Sequence, residues 1–221
     1  MKSAKFLSKV VLGLFALLHI AVAQAHFIWL EQSDGQTKLY FGEYEGGVRE
    51  KTGGRLDTIA APEAVLLSNQ TNQLPMKRQA DYIAIDDAKS QPVIAHELTM
   101  KVKDMTKYHW GIVKPMYYAR SSSGVAEAMS SHTLDIQPLG NNQVRINLNG
   151  KPLANAKLKV IAPNQWLQEL DANDQGEATY VMPWAGLYVL EVIHLEANPG
   201  KYQGDQYENI RHVSTLSVVK K

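Results

Sequence analysis

Apolar and polar residues alternate along most of this chain with a period of two, as in strands that turn one face to a core. The alternating runs fall at 27–31, 37–44, 64–68, 81–85, 93–102 and 107–113. They resume at 144–148, 156–161, 177–181, 187–196 and 210–219. Turn residues punctuate them at Ser33-Asp34-Gly35, at Asn149-Gly150-Lys151-Pro152 and through 171–176. No long stretch carries a helical period, and turns recur about every ten residues, so the sequence predicts a mainly β protein. Between 119 and 132 the composition shifts to Ser121-Ser122-Ser123-Gly124 and then 126–131, which reads as a linker or a short helix. The expectation is two β-sandwich domains in tandem, residues 26–130 and 131–221, the second of transthyretin or immunoglobulin type. The last two runs are expected to pair antiparallel, with His194 facing His212, Leu190 facing Leu216 and Val192 facing Ser214.

The front of the chain changes the picture of where it works. Lys2, Lys5 and Lys9 precede an apolar run from Val10 to Val22, broken by Gly13 and His19, and Ala23-Gln24-Ala25 is a small-x-small cleavage site. These are the parts of a signal peptide over 1–25. The run is short for a membrane span, and no stop-transfer pattern follows it. No cysteine stands at the cleavage site, so a lipid anchor is not expected, and no transmembrane segment is expected after cleavage. The whole chain lacks cysteine. An exported protein without disulfides fits a bacterial periplasm better than a small stapled extracellular module. The formal charge of +1 loses three lysines and no acid with the signal. The remaining chain is therefore weakly acidic, and with no basic stripe nucleic acid is not an expected partner.

Several segments in the second half resemble known families. The string Asn149-Gly-Lys-Pro-Leu-Ala-Asn-Ala-Lys-Leu-Lys-Val, then Asp174-Gln-Gly-Glu and Trp184-Ala-Gly-Leu-Tyr, is similar to carboxypeptidase-regulatory-like (transthyretin-like) domains. Adding the start Ala25-His26-Phe27-Ile28-Trp29, the segment Pro183-Trp184-Ala185-Gly186-Leu187-Tyr188-Val189-Leu190-Glu191-Val192 and Arg211-His212-Val213-Ser214-Thr215-Leu216, the chain resembles the DUF4198 family. That family comprises exported proteins often labelled periplasmic components of cobalt or nickel uptake. The resemblance implies metal handling, with a membrane metal transporter as a partner.

The histidines are the candidate ligands, since imidazole suits borderline transition metals and thiolate is absent. After cleavage six remain, at 26, 96, 109, 132, 194 and 212, with no HxH, HxxxH or HExxH spacing. Cleavage after Ala25 would leave His26 first, offering both its α-amine and its imidazole Nδ1; otherwise it is a residue left by processing beside the core residues Phe27 and Trp29. His194 and His212 can share one ion if they face each other across two strands, or can be half-buried strand residues. Parity puts Glu196 on the face of His194, as a ligand or as an acceptor behind one. His109, between Tyr108 and Trp110 in an expected strand, reads as a ligand or an aromatic-flanked core histidine. His96 reads as solvent-facing and His132 as an ordinary linker residue. Glu43 and Glu45 share one strand face and could bind a cation, though a solvated loop edge is the plainer reading.

The leading expectation is a periplasmic protein that binds nickel, cobalt or copper for delivery, uptake or sequestration. Its ligands would be His26, His194 and His212, with Glu196 and His109 beside them. The alternatives are a histidine-brace copper enzyme acting oxidatively at His26, and a metal-free β-sandwich binding module. Nucleophilic catalysis finds little support, because there is no G-x-S-x-G motif and no cysteine, which leaves only a convergence of His, Asp and Ser in space.

Overall fold

The structure is a computed structural model describing residues 26–33 and 35–221. The expected signal peptide and its cleavage site, within 1–25, lie outside the described residues. Strands account for 57% of the described residues and helix for 4%, so the mainly β expectation holds. The first half contributes β1 (Phe27–Ser33), β2 (Gln36–Glu43), β3 (Val48–Arg49), β4 (Glu63–Leu66) and β5 (Asn69–Gln73). It continues with β6 (Met76–Arg78), β7 (Ile83–Ile85), β8 (Val93–Glu97), β9 (Lys103–Asp104) and β10 (Ile112–Ser122). The second half contributes β11 (Leu134–Gly140), β12 (Gln143–Leu148), β13 (Lys151–Pro152) and β14 (Lys157–Ile161). It ends with β15 (Leu167–Asp171), β16 (Glu177–Thr179), β17 (Gly186–Tyr202) and β18 (Asp205–Lys220).

Nine strands form one sheet through the middle of the protein, in the order β15-β14-β17-β18-β10-β8-β4-β5, with β9 beside β10. The two halves of the chain meet inside it, where β10 and β18 pair in parallel from Val113↔Asn209 to Ser122↔Val218. Parallel neighbours need a long crossover. Here the crossover is the second half of the chain, which leaves the sheet after β10, rejoins it through β14, β15 and β17, and comes back beside β10 as β18.

Alternate side chains of this sheet feed two separate cores. Tyr117, Ala119, Val189 and Val213 point to one face and pack with Ile28, Leu30, Leu39 and Phe41 of the five-stranded sheet β1-β2-β7-β6, in which β3 pairs β2. Tyr118, Leu190, Val192, Leu216 and Val218 point to the other face. They pack with Leu134, Ile136, Val144 and Ile146 of the smaller sheet built on β11 and β12. The central sheet therefore serves as a shared wall between two sandwiches. β1 is fastened to it by the Thr215 hydroxyl, which donates to the Ile28 carbonyl at 2.7 Å.

The structure departs from the sequence expectations at three places. Residues 107–113 are not a strand: Thr106–Tyr108 is a single 3-10 turn closed by His109 at φ 62°, and β10 begins only at Ile112. The segment after β10 is not helical. It is tied down by Arg120, which is 1% exposed and donates to Asp135 at 3.1 Å, to Glu127 at 3.0 Å and to the Ala128 carbonyl at 2.7 Å. A buried guanidinium paired with two acids is costly to strip of them, by about 3–5 kcal/mol, so the segment behaves as part of the fold rather than as a tether. The expected long loop after Glu196 is in fact strand: β17 and β18 run on past a bulge at Ala197/Gly200 to a tight turn at Gln203-Gly204.

Candidate functional site

Hairpin geometry builds a small acidic cradle around His26. In the β1–β2 register Phe27 faces Gly42, so one step further His26 faces Glu43. On the other side β3 pairs β2 through Gly42↔Arg49, and the Glu50 N–H then donates to the Phe41 carbonyl at 2.9 Å. Glu43 and Glu50 thereby flank the same ring. Gly42 permits this, because its φ is +151° and a Cβ there would run into the Val48 carbonyl. His26 Nδ1 lies 3.1 Å from Glu43 Oε1, and Nε2 lies 2.5 Å from Glu50 Oε1. Arg55 stands 3.2 Å from the same Nε2 and 3.8 Å from Glu50. The ring rests on Phe41, centroids 5.3 Å apart. The side chains of His26, Glu43 and Glu50 are 16%, 11% and 18% exposed, sheltered yet reachable from solvent.

His194 and His212 face each other, with Leu190 opposite Leu216 and Val192 opposite Ser214, which is the expected register. Their rings lie 6.4 Å apart. His212 is already fully engaged. Its Nε2 is 2.9 Å from Glu196 and its Nδ1 is 3.1 Å from the Tyr118 hydroxyl. One tautomer satisfies both contacts: Nε2–H donates to the carboxylate, and Nδ1 accepts from the phenol. Burial holds the His212 imidazole below its ordinary pKa, with Glu196 opposing that effect, and pushes the Tyr118 phenol up to about 12. This chain resembles a catalytic relay in connectivity only, because a buried phenol so reluctant to ionise is a poor nucleophile.

The expected ligands are not gathered at one place. His194, His212 and Glu196 belong to the face of the central sheet that carries Tyr118, whereas His26 sits on the five-stranded sheet that covers the opposite face. His109 joins neither group. It is an exposed, left-handed residue at the end of the 3-10 turn.

Two histidines given plain readings from the sequence are less plain in the fold. His132 is 7% exposed, wedged between the rings of Tyr118 (5.1 Å) and His96 (5.8 Å), and neither of its ring nitrogens has a partner. Burial, with His96 and Arg120 adding to it, drives its pKa down to about 3. His96 is half-buried opposite Glu63, whose carboxylate lies 3.7 Å away. Glu43, read from the sequence as a solvated loop edge, is buried against His26. A signal for that placement did exist: counting outward from the Asp34-Gly35 turn puts residue 43 opposite residue 26.

Among the described residues, no three His, Asp or Glu side chains form a group able to hold a metal ion. Among them, too, no helix is long and apolar enough to cross a membrane. Compared with known proteins, the chain matches no family model, no curated protein and no solved structure.

Proposed function

We propose that this is an exported, periplasmic protein that binds one divalent transition-metal ion, nickel, cobalt or copper, at the start of β1. Three donors would hold it: the α-amine freed by cleavage after Ala25, Nδ1 of His26 and the Glu43 carboxylate. The observation that carries this reading is the 3.1 Å separation of Nδ1 and Glu43 Oε1. Two donors each bonded at about 2.0–2.1 Å to one ion, at an angle between square and tetrahedral, stand about 3 Å apart. The pair thus fits a metal in place of a shared proton. Glu50, accepting from Nε2–H, would hold the ring in orientation.

Side chains alone supply too few donors here, so the amine is indispensable and only the cleaved chain has it. The partners around His26 are carboxylates, an arginine and a phenyl ring. A histidine brace needs a second imidazole there, so storage or delivery is favoured over oxidative catalysis. The resemblance to a family labelled with cobalt and nickel uptake points the same way, towards hand-over to a membrane transporter.

The test is intact mass and metal analysis of protein exported with its own signal and equilibrated with nickel, cobalt or copper at neutral pH. The expected result is a mass starting at His26 and one ion per chain, lost in His26→Ala. Binding weakens about tenfold or more in Glu43→Gln and in a chain with one extra residue before His26, and is unchanged in His194→Ala. Affinity falls as pH falls, because protons compete for the amine and the imidazole. A correctly cleaved chain that stays metal-free would sink the reading. Copper binding tightest in vitro is expected of almost any such site and does not name the physiological ion.

A further inference from the structure

Five of the nine large apolar side chains exposed among the described residues gather at one end of the central sheet. There β14 ends opposite the start of β15, and β18 ends beside the start of β17 through Leu187↔Val219 and Gly186↔Lys220. Trp166 and Leu167 come from the turn into β15, Val181 and Trp184 from the segment entering β17, and Val219 from β18. Contacts between these segments make them one surface. The Trp166 and Trp184 rings meet edge to face, centroids 5.5 Å apart. The Val181 N–H donates to Gln168 Oε1 at 3.2 Å, and the Lys220 ammonium donates to the Met182 and Pro183 carbonyls. Single exposed apolar residues are ordinary, whereas a contiguous group marks a surface that is covered in use.

Charge says what covers it. Segments 162–167, 181–187 and 219–221 carry two lysines, Lys220 and Lys221, and no acid. Glu45, whose backbone meets Gln165 from the β2–β3 turn, is 11% exposed and turned to Lys159. Residues 26–221 hold 20 basic and 22 acidic side chains, since Lys2, Lys5 and Lys9 precede them, so this end is positive on a weakly acidic protein. Lys220 keeps its charge while its ammonium rests on carbonyls. Tryptophan has an apolar body with one N–H, and lysine an apolar stem with a charged head. Both therefore settle where lipid headgroups meet acyl chains. A second copy of the chain fits less well, because a two-fold contact through this end would set the same lysines against each other.

We propose that this end of the protein docks on a lipid bilayer with anionic headgroups, Trp166, Leu167 and Trp184 entering the headgroup layer and Lys220 and Lys221 meeting its charge. The attachment is peripheral and reversible, since a few side chains and two charges make a small anchor. It uses no residue of the His26 cradle, and it stands or falls separately from metal binding.

The test uses the metal-free chain cleaved after Ala25, because the apolar run at 10–22 would bind lipid by itself; both cores lie within 26–221. Cosedimentation with vesicles of phosphatidylcholine alone is compared with vesicles of equal parts phosphatidylcholine and phosphatidylglycerol. The expected result is partitioning about tenfold or more stronger onto the anionic vesicles, from about fivefold per lysine, and weakening as sodium chloride is added. Brominated acyl chains quench the parent's tryptophan fluorescence. That quenching is lost in the double variant Trp166→Ser, Trp184→Ser, whose binding drops about tenfold or more. The two rings are 39% and 41% exposed, so the variant keeps the parent's melting temperature. Lys220→Gln combined with Lys221→Gln removes the preference for anionic lipid. The proposal is overturned if the parent binds anionic vesicles no better than phosphatidylcholine, or if the tryptophan variant binds like the parent. Dimers that the tryptophan variant dissociates, with no vesicle binding by the parent, would assign this end to a second copy and overturn it as well.

Discussion

His132 shows what a buried titratable residue does when its partners are wrong. Its ring is enclosed by Tyr118 and His96, with Arg120 near enough to disfavour a second charge, and neither nitrogen is satisfied. In the unfolded chain a histidine takes up its proton near pH 6.5, whereas here it waits until about pH 3. Between those limits the unfolded state holds the extra proton. The stability due to a neutral His132 is thus complete above pH 6.5 and drains away as pH falls towards 3, at about 1 kcal/mol per pH unit. His132→Leu should flatten that slope. Urea midpoints between pH 7 and pH 4.5 check it, and a variant as acid-sensitive as the parent would refute the assignment. Glu191 works the other way. Burial pushes its carboxyl up to about 7, so its contribution is present at low pH and fades as pH rises from about 4.5 to 7. Comparing His132→Leu with the parent isolates the histidine because Glu191 is common to both.

At the scale of elements, the β2–β3 hairpin decides whether the His26 cradle exists. Glu43 ends β2, Glu50 follows β3, and Gly42 lets the two backbones close over each other. Gly42→Ala should therefore cost about 1–3 kcal/mol of stability and also abolish the His26-dependent metal binding, although residue 42 contributes no donor. A thermal melt paired with metal analysis checks this. Unchanged binding in Gly42→Ala would mean that Glu43 is not held by the hairpin. The β17–β18 hairpin is the contrasting case. Its long register, matching Leu190 to Leu216 and His194 to His212, follows from the hydrophobic pattern of the two runs, and Gln203-Gly204 at positive φ closes it.

For the whole molecule, the shared sheet predicts cooperative behaviour. β10 and β18 come from opposite halves of the chain, and their side chains contribute to both cores. Neither half can melt without exposing the inner edge of a strand belonging to the other. Calorimetry should show one unfolding transition with equal calorimetric and van't Hoff enthalpies; two resolved transitions would contradict it. The same sheet keeps the candidate chemistry apart, with His212 and Glu196 on one face and His26 towards the other.

The sequence by itself determined what is local and periodic. Alternation marked most of the strands, the turn residues marked the hairpins, and matched apolar runs set the β17–β18 register, because each of these depends on neighbours in the chain or on a single hairpin. It misplaced His109, whose backbone is set by a 3-10 turn that an aromatic-rich run does not reveal. Only the tertiary structure decided which surfaces meet. The parallel pairing of β10 with β18 spans nearly a hundred residues, and no local pattern encodes it. That pairing puts the central sheet between His26 and the His194–His212 pair, and it buries Arg211 on the face where the Glu191 carboxyl feels its charge. Burial and face are properties of packed layers, so the partners of His132, Glu43 and Arg211 became visible only once the layers were assembled.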